Sequence, residues 1–382
     1  MGYRIDTVAA HAGRVNEGAG APVSPALSLS TTFSQSAPGQ YDEHAYGRIG
    51  NPNRDALETT LAQLEGGAHA AAFSSGCAAM HATLQLLRPG DHLVACSDIY
   101  GGTYRLIEQL VAPVGVDVTW VDMSDVSSVR AAMTAATRML WIETPTNPLL
   151  RIFDISALSE LARDRGVLTV VDNTFATPLL QRPLELGADV VVHSMSKYLN
   201  GHSDVVAGAI VCSDDEVAAR VRFIQRAGGA VPSPFDCYMV ARGVKTLPIR
   251  MVRHCESAQA LAEWLCQQEG VEEVHYPGLS HHPHHVLAQR QMSGFGGIVS
   301  FVVGGGLRGA GDVLRRVRLF TLAESLGGVE SLIGQPALMS HASMPKEVRT
   351  ERGVRDGLIR VSVGLEDVED LEADLRQALL TP

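Results

Sequence analysis

The chain has 382 residues and a mass of 40.8 kDa, and its 31 basic against 42 acidic side chains leave a formal charge of −11. This balance excludes the clustered basic surface that nucleic acid or an anionic membrane requires, so we expect neither as a partner. Hydrophobic residues make up 46% of the chain and charged residues 19%, which indicates a folded protein with a real core. The length favours two domains.

The six cysteines are scattered, and no two form a CxxC pair, which argues against a disulfide framework and a structural zinc site. The first residues lack the apolar stretch of a signal peptide, and no apolar run approaches the roughly 18 residues of a membrane span. We therefore expect a cytoplasmic metabolic enzyme. Residues 281–285 contain four histidines, but their proline favours a solvated turn over a metal site, so no metal is predicted.

Residues 1–54 show little periodicity and many prolines and glycines, so the sequence predicts an irregular arm, followed by a helix at about 55–64. From 68 to 212, short apolar runs alternate with helical patterns. That alternation is typical of an α/β fold in which helices cover both faces of a mostly parallel sheet. The seven predicted strands are 70–73, 92–95, 116–121, 139–142, 168–171, 190–193 and 207–211, and the helices between them include 78–87, 104–110, 126–135 and 155–164.

After about residue 245 the pattern changes to a mixture that indicates a smaller α+β domain. Its predicted helices are 247–269 and 368–379, and its predicted strands are 275–276, 297–303, 318–321 and 358–363. We therefore divide the chain into an N-terminal arm (1–54), a large domain (55–245) and a small C-terminal domain (246–382).

Polar residues follow two strands of the large domain in a way that suits an ionic ligand. Ser75 and Gly76 come after strand 70–73 and open a helix, where free N–H groups and the helix dipole favour a phosphate. Asp172 follows strand 168–171, and an apolar strand that delivers an aspartate to a crevice can hold a buried cation. The carboxyl ends of parallel strands meet at one edge of the sheet, so these groups are expected together.

A third strand, 190–193, is followed by Ser194, Ser196 and Lys197. A lysine in such a place can form a Schiff base when its surroundings deprotonate it. One ligand accounts for the amine, the carboxylate of Asp172 and the phosphate cradle, and that ligand is pyridoxal phosphate: its aldehyde binds the amine and its ring nitrogen stays protonated beside the aspartate.

Two other motifs carry less weight. Residues 304–309 match GxGxxG after a predicted strand, but they lie outside the main alternation, so a solvated turn is favoured over a dinucleotide site. Residues 194–197 match the SxxK of serine acyl-transferring enzymes, but the partner motifs SDN and KTG are incomplete in this chain.

The pyridoxal-phosphate residues resemble those of the Cys/Met-metabolism family, which includes cystathionine γ-synthase, cystathionine γ-lyase, cystathionine β-lyase and methionine γ-lyase. The resemblance covers nearly the whole chain and is closest to the two γ-enzymes. It runs through Tyr46–Arg48, Gly50–Pro52, Ser75-Gly76, Tyr100–Thr103, Glu143–Pro148, Val171–Phe175, Ser194–Lys197, Gly201–Asp204, Glu324–Gly328 and Arg360–Gly364. It implies the fold type I (aspartate-aminotransferase-like) architecture and a homotetramer built from close dimers that share their active sites.

The resemblance also implies roles for individual residues. Lys197 would bind the cofactor and move protons, and Tyr100 would stack on its ring and help in proton transfer. Asp172 would pair with the ring nitrogen. The phosphate would be held by the backbone of Gly76 and Cys77, by Ser194 and Ser196, and by Tyr46 and Arg48 of a neighbouring subunit.

For the substrate, the resemblance implies that Arg360 clamps the α-carboxylate with help from Asn147 and the Ser325 backbone. Glu324 and Arg105 favour the cystathionine γ-enzymes. Gly102 stands where methionine γ-lyases usually carry cysteine, and Ala45 stands where cystathionine enzymes usually carry an acid that meets a distal amino group.

The function that follows is γ-elimination or γ-replacement on a sulfur-containing or O-acylated four-carbon amino acid, as in transsulfuration. The sequence leaves open whether the enzyme is a synthase or a lyase. It also leaves open a methionine γ-lyase or cystathionine β-lyase activity, a specialised biosynthetic role, and a binding protein that kept the fold without catalysis.

Overall fold

The structure is a computed structural model that describes residues 3–14 and 18–380. Its central sheet has seven strands in the order β1-β7-β6-β5-β4-β2-β3, and β7 runs antiparallel to both neighbours while the other pairs are parallel. The strands are β1 (His69–Phe73), β2 (His92–Cys96), β3 (Asp117–Val121), β4 (Thr137–Glu143), β5 (Leu168–Asp172), β6 (Val190–Ser194) and β7 (Gly208–Cys212). The prediction of a mostly parallel seven-stranded sheet is confirmed.

A second sheet of five strands lies in the C-terminal part of the chain, in the order β10-β11-β12-β9-β8. Its strands are β8 (Val271–His275), β9 (Ile298–Val303), β10 (Thr321–Leu322), β11 (Leu332–Gly334) and β12 (Leu358–Ser362). The pairs β8–β9, β9–β12 and β12–β11 are antiparallel, and β10 runs parallel to β11. This sheet has its own hydrophobic cluster, which includes Phe301 and Val361.

Helices pack on both sides of the large sheet and on the second sheet. They are α1 (Ile5–Ala10), α2 (Pro52–Glu65), α3 (Gly76–Leu84), α4 (Gly101–Leu106), α5 (Val126–Ala132), α6 (Ile155–Arg163), α7 (Thr177–Leu180), α8 (Asp215–Gly228), α9 (Pro234–Val244), α10 (Leu247–Leu265), α11 (His285–Gln291), α12 (Gly306–Arg316), α13 (Lys346–Glu351) and α14 (Val368–Leu379). A π-helical turn, Ile107–Val111, extends α4. Within the described residues, no helix is long and apolar enough to cross a membrane.

The central strands are apolar because both faces of the sheet are covered. In β5 and β6, Val170, Val171 and Val190–Val192 are fully buried. Asp172 and Ser194 are the last residues of these two strands, and so they lie at the carboxyl edge of the sheet.

Two expectations about local structure are wrong, one for the N-terminal arm and one for the histidine segment. The arm is not wholly irregular, because it contains α1. The glycine motif at 304–309 begins as the expected exposed turn at Gly304 and Gly305 and then continues into α12, which starts at Gly306. The strands beside β9 are antiparallel to it, unlike those of a dinucleotide-binding βαβ unit.

The histidine segment also differs from the predicted solvated turn. His282 is buried, and the Nδ1 of His284 accepts a hydrogen bond from the backbone N–H of Ile152 at 3.1 Å. Within the described residues, no group of three or more His, Cys, Asp or Glu side chains is arranged to hold a metal ion.

Candidate active site

A cavity of about 530 Å³ opens at the carboxyl ends of β1, β4, β5 and β6, and β12 closes it from the C-terminal side. Twelve residues that the sequence singled out line this cavity. They are Gly76, Cys77, Tyr100, Arg105, Asn147, Asp172, Ser194, Ser196, Lys197, Glu324, Ser325 and Arg360.

The cradle at the start of α3 is too tight for a side chain. Ser75 caps the helix, since its Oγ accepts the backbone N–H of Ala78 at 3.0 Å. A Cβ on Gly76 would lie 2.8 Å from the Ser194 Cβ, and a Cβ on Gly208 would lie 2.2 Å from the Ser75 carbonyl oxygen. The backbone of the first helical turn, whose N–H groups have no partner within the helix, is therefore open to an anion such as a phosphate.

Hydrogen bonds to neighbouring loops hold Ser194 and Ser196 at the rim of this cradle. The backbone N–H of Ser194 donates to the Oγ1 of Thr174 at 2.9 Å. The Oγ of Ser196 accepts the backbone N–H of Ala207 at 3.0 Å and donates to its carbonyl oxygen at 3.2 Å. The strand end that carries Lys197 is thus tied to both adjacent loops.

Asp172 presents a buried carboxylate to the same cavity. It is 4% exposed, and its Oδ1 accepts the backbone N–H of Thr174 at 3.0 Å. Burial raises the pKa of the Asp172 carboxyl above its ordinary value, because the low-polarity surroundings disfavour its charge. A protonated pyridine N–H beside it would supply the missing positive partner, so the residue fits the ring nitrogen of pyridoxal phosphate.

Lys197 holds its amine toward the C-terminal side of the cavity, where Nζ donates to the Oγ of Ser325 at 2.6 Å. Burial, together with the nearby Arg360 guanidinium, lowers the pKa of Lys197 to about 8. About a tenth of the amine is therefore uncharged at pH 7, far more than at the ordinary lysine pKa, and an uncharged amine can attack an aldehyde or accept a proton. Ser325 itself has φ +92°, a left-handed backbone that side-chain-bearing residues rarely adopt, which is a form of strain concentrated at functional sites.

Arg360 lies in β12 and is 8% exposed. Its Nη1 donates to the Oδ1 of Asn147 at 2.9 Å, and its Nη2 donates to the carbonyl oxygen of Ser325 at 2.8 Å. Burial lowers the pKa of Arg360 to about 10, which leaves it charged at neutral pH. A guanidinium fixed in this way can bind a carboxylate through two parallel hydrogen bonds.

Tyr100 lies at the start of α4 and lines the cavity together with Cys77 and Arg105. Burial raises the pKa of Tyr100 and the nearby Cys77 raises it further, whereas the Arg105 guanidinium opposes the rise. Glu324 is close enough to act on the charges of Lys197 and Arg360. The cavity therefore brings charges of both signs around the place where a substrate would lie.

Tyr46 and Arg48 do not line this cavity. Tyr46 is 46% exposed, and the guanidinium of Arg48 lies over its ring, 5.7 Å from the centroid. Arg48 also donates a hydrogen bond to the carbonyl oxygen of Arg226. The structure thus leaves these two side chains away from the site of their own chain.

Sequence reasoning gave no role to Glu143, although this residue is the last of β4 and also lines the cavity. It lies directly opposite Asp172 in the register of β4 and β5. The signal was available, because a strand that ends in an acid beside a second such strand places two carboxyl groups at one edge of the sheet.

The sequence of residues 6–380 matches the family model described as Cys/Met metabolism PLP-dependent enzyme. The chain belongs to this family. Its cofactor is therefore pyridoxal 5′-phosphate, and the cradle, Asp172 and Lys197 fit the three ends of that molecule. The predicted fold is confirmed, because the chain superposes on a solved structure of a cystathionine gamma synthase with a TM-score of 0.96.

The chain is similar to several characterised members of the Cys/Met-metabolism family. It is 52% identical to the cystathionine gamma-synthase of Mycobacterium leprae, over 98% of this chain and 96% of the relative. It is 48% identical to the cystathionine beta-lyase of Coxiella burnetii, over 98% of this chain and 97% of that relative. The cystathionine gamma synthase of Xanthomonas oryzae pv. oryzae in complex with cystathionine has a TM-score of 0.96 and 45% identity, over 99% and 98%. The chain is thus a pyridoxal-phosphate enzyme of carbon–sulfur chemistry.

Proposed function

We propose that this enzyme breaks a bond at Cγ of a four-carbon amino acid by γ-elimination or γ-replacement, as cystathionine γ-lyase and γ-synthase do. The observation that carries this proposal is the position of Ser325 between two functional groups. Its hydroxyl accepts a hydrogen bond from the Lys197 amine at 2.6 Å, and its carbonyl oxygen accepts one from the Arg360 guanidinium at 2.8 Å. An amino acid whose carboxylate meets Arg360 would then hold its Cα, Cβ and Cγ near the proton-transferring amine.

The bound cofactor supplies an electron sink that stabilises a negative charge developing at Cα. In this proposal Arg360 and Asn147 orient the substrate by its α-carboxylate. The Lys197 amine, with its pKa lowered to about 8, would accept the Cα proton, pass it on to the cofactor, and then accept a proton from Cβ. This second proton loss would let the group on Cγ leave with its bonding electron pair. In elimination a proton returned at Cγ would then lead to the 2-oxo acid and ammonia, whereas in replacement a thiol would add at Cγ. The carboxylate of Asp172 keeps the ring nitrogen positive, and Tyr100 assists proton transfer on the opposite side of the cavity.

Two features favour Cγ chemistry on a cystathionine-type substrate over methionine γ-lyase activity. Glu324 and Arg105 place opposite charges in the cavity wall, where a polar substrate tail would lie. A Cβ on Gly102 would come within 2.3 Å of the Tyr100 ring, so the cysteine usual in methionine γ-lyases would require the ring to move.

β-Elimination from cystathionine is the second candidate. It is supported by the relative from Coxiella burnetii, which is named a cystathionine beta-lyase and is 48% identical to this chain. The same Lys197 and Arg360 would serve that reaction, since both reactions begin with removal of the Cα proton.

Product analysis distinguishes the candidates. The purified enzyme is incubated with cystathionine alone, and then with O-succinyl- or O-acetyl-homoserine with and without cysteine. The proposal expects 2-oxobutanoate and cysteine from cystathionine, which identifies a lyase, or cystathionine from the ester and cysteine, which identifies a synthase. Pyruvate and homocysteine from cystathionine would contradict Cγ chemistry and support the β-lyase.

The proposal includes a cytoplasmic homotetramer in which Tyr46 and Arg48 complete the phosphate site of a neighbouring subunit. Their exposure on their own chain and their absence from its cavity lining support this arrangement. The non-catalytic alternative predicts a protein that stays colourless when cofactor is added, whereas a functional Lys197 gives a yellow one.

A further inference from the structure

The carboxyl group of Glu143 joins two loops that carry functional residues. Its Oε1 accepts the backbone N–H of Tyr100 at 3.1 Å and that of Asn147 at 3.0 Å. Its Oε2 accepts the same N–H of Tyr100 at 3.0 Å. Glu143 is 4% exposed, so water does not compete for these bonds.

A second side chain holds the same loops from the C-terminal part of the molecule. The Nε2 of His341 lies 3.2 Å from the carbonyl oxygen of Ile99 and 3.0 Å from that of Asn147. His341 is 1% exposed, so the contact is part of the packed interior. The N–H groups of the two loops are thus fixed by Glu143 and their carbonyl groups by His341, which leaves the spacing between Tyr100 and Asn147 little freedom.

We propose that Glu143 is a positioning residue that sets the spacing between Tyr100 at the cofactor and Asn147 at the substrate carboxylate. The inference rests on the proposed function for the roles of those two residues. It deepens that function by assigning the geometry of the site to a residue that acts through the backbone N–H groups of Tyr100 and Asn147. A misplacement of about 1 Å at such a site can reduce the rate by about 10²-fold.

Reach, rather than charge, is the property of Glu143 that matters here. One oxygen, Oε1, serves both loops, and a neutral carboxyl or an amide keeps a carbonyl oxygen in that place. Charge is disfavoured by the surroundings: burial and the adjacent Asp172 carboxylate raise the pKa of Glu143 well above its usual range. The proposal therefore predicts opposite outcomes for two conservative substitutions.

Glu143→Gln keeps the length of the side chain and removes its ionisable group, whereas Glu143→Asp keeps an ionisable carboxyl and withdraws the oxygens by one methylene. We expect Glu143→Gln to retain kcat/KM within about fivefold, since it loses only part of the shared Tyr100 bond. We expect Glu143→Asp to lose about 10²-fold, with a rise in KM for the amino-acid substrate because Asn147 is displaced.

A readout that does not depend on turnover is the circular dichroism of the bound cofactor in the visible range, together with the equilibrium affinity of the apoenzyme for pyridoxal phosphate. Both report the setting of Tyr100 against the ring. Glu143→Asp is expected to change the dichroic band and weaken affinity, and Glu143→Gln to match the wild type. In combination with Asn147→Ala, Glu143→Asp should add little further increase in KM, because the two act through one contact.

Asp374→Asn is the matched control for loss of a buried carboxylate that fixes backbone N–H groups. Asp374 accepts the N–H groups of Arg318, Leu319 and Phe320 in the C-terminal sheet region, away from the cavity, so its change should lower stability and leave KM and the dichroic band unchanged. If Glu143→Asp kept the wild-type KM and dichroic band while Glu143→Gln lost activity, the proposal would be overturned, because the charge of Glu143 rather than its length would then matter. The proposal would also be overturned if both variants behaved like the wild type. Failure of the proposed reaction is a separate outcome, because the wild-type enzyme would then give products other than those expected for Cγ chemistry.

Discussion

At the scale of single residues, the cavity holds charges that would be unfavourable if they stood alone. Asp172 is 4% exposed and Arg360 is 8% exposed, and the amine of Lys197 donates a hydrogen bond to the hydroxyl of Ser325 in the same cavity. Burial raises the pKa of the Asp172 carboxyl and lowers that of Lys197 to about 8. A positively charged ring nitrogen would favour the charged form of the acid, and an amine with a lowered pKa would attack an aldehyde more readily. Both groups are therefore suited electrostatically to the cofactor.

Replacing Asp172 with Asn tests the pairing with the cofactor ring. An amide cannot hold a protonated ring nitrogen by charge, so we expect kcat to fall by about 10²-fold or more, the size typical of losing one preorganised electrostatic partner. Cofactor affinity should fall less. Steady-state kinetics and a cofactor titration measure the two effects.

Asp189→Asn is the matched control for the Asp172 experiment. Asp189 is an acid at the opposite, amino end of β6, where its Oδ2 accepts the backbone N–H of Thr169 at 2.7 Å, and burial also raises its pKa. Its variant should keep wild-type kcat. Near-normal turnover in Asp172→Asn would show that another acid holds the ring.

Sequence reasoning assigned roles to residues whose position follows from the end of a strand. Asp172 comes directly after an apolar run, Lys197 comes four residues after the next, and the structure places both in one cavity at the edge where parallel strands end. It gave no role to Glu143 or His341, because their partners are backbone groups of loops whose path depends on tertiary packing.

At the scale of elements, the strong alternation of residues 68–212 predicted the seven strands of the large sheet, most within one or two residues at each end. The predicted strand 318–321 is reduced to Thr321 and Leu322. Its residues Arg318–Phe320 donate their N–H groups to the Asp374 carboxylate instead of to a neighbouring strand. A side-chain interaction with a residue so far along the chain overrides β-propensity and leaves no periodic signal in the strand's own sequence.

The turn between β2 and α4 carries a testable pH effect at Asp98. This acid is 2% exposed and accepts a hydrogen bond from the hydroxyl of Thr146. Burial raises its pKa from 3.8 to about 6, so the folded state binds the proton more tightly than the unfolded state. The favourable contribution of Asp98 to the free energy of unfolding is therefore fully present below pH 3.8 and is lost as the pH rises through about 6.

In Asp98→Asn this loss of stability with rising pH should not occur, because an amide does not ionise. The difference in unfolding temperature between the variant and the wild type should therefore increase in favour of the variant from pH 4 to pH 7. Thermal unfolding followed by circular dichroism measures it. Asp125→Asn is the comparison: hydrogen bonds from Ser127 and Ser128 lower the pKa of exposed Asp125 to about 2, so no such increase is expected. A difference that stays constant or shrinks for Asp98→Asn would contradict this account.

At the scale of the whole molecule, several large apolar side chains remain exposed on the single chain. Leu29 is 66% exposed and Phe223 60%, and in α10 Ile249 is 70% and Val252 59% exposed. The homotetramer proposed above would cover such side chains where they lie together in one patch. Together with the position of Tyr46 and Arg48 outside their own cavity, they support an assembly in which the arms cross between chains.

Mixing two inactive variants tests this crossing. Arg48→Ala lacks the arm contribution and Lys197→Ala lacks the amine, so neither should be active alone. In a two-fold dimer that shares its sites, a hybrid has one complete site, and a random equimolar mixture should recover about a quarter of wild-type activity. Activity is measured after the chains are exchanged and the mixed oligomers are verified. No recovery would show that each arm serves its own subunit.

The most direct test of the central claim is to locate the lysine that holds the cofactor. The chain has three lysines, Lys197, Lys245 and Lys346, so the result is unambiguous. The yellow protein is reduced with borohydride, digested, and its peptides are mapped by mass spectrometry. We expect one pyridoxyl label, on Lys197, and no label in Lys197→Ala. A label on Lys245 or Lys346, with Lys197 unmodified, would contradict the assignment of this cavity as the active site.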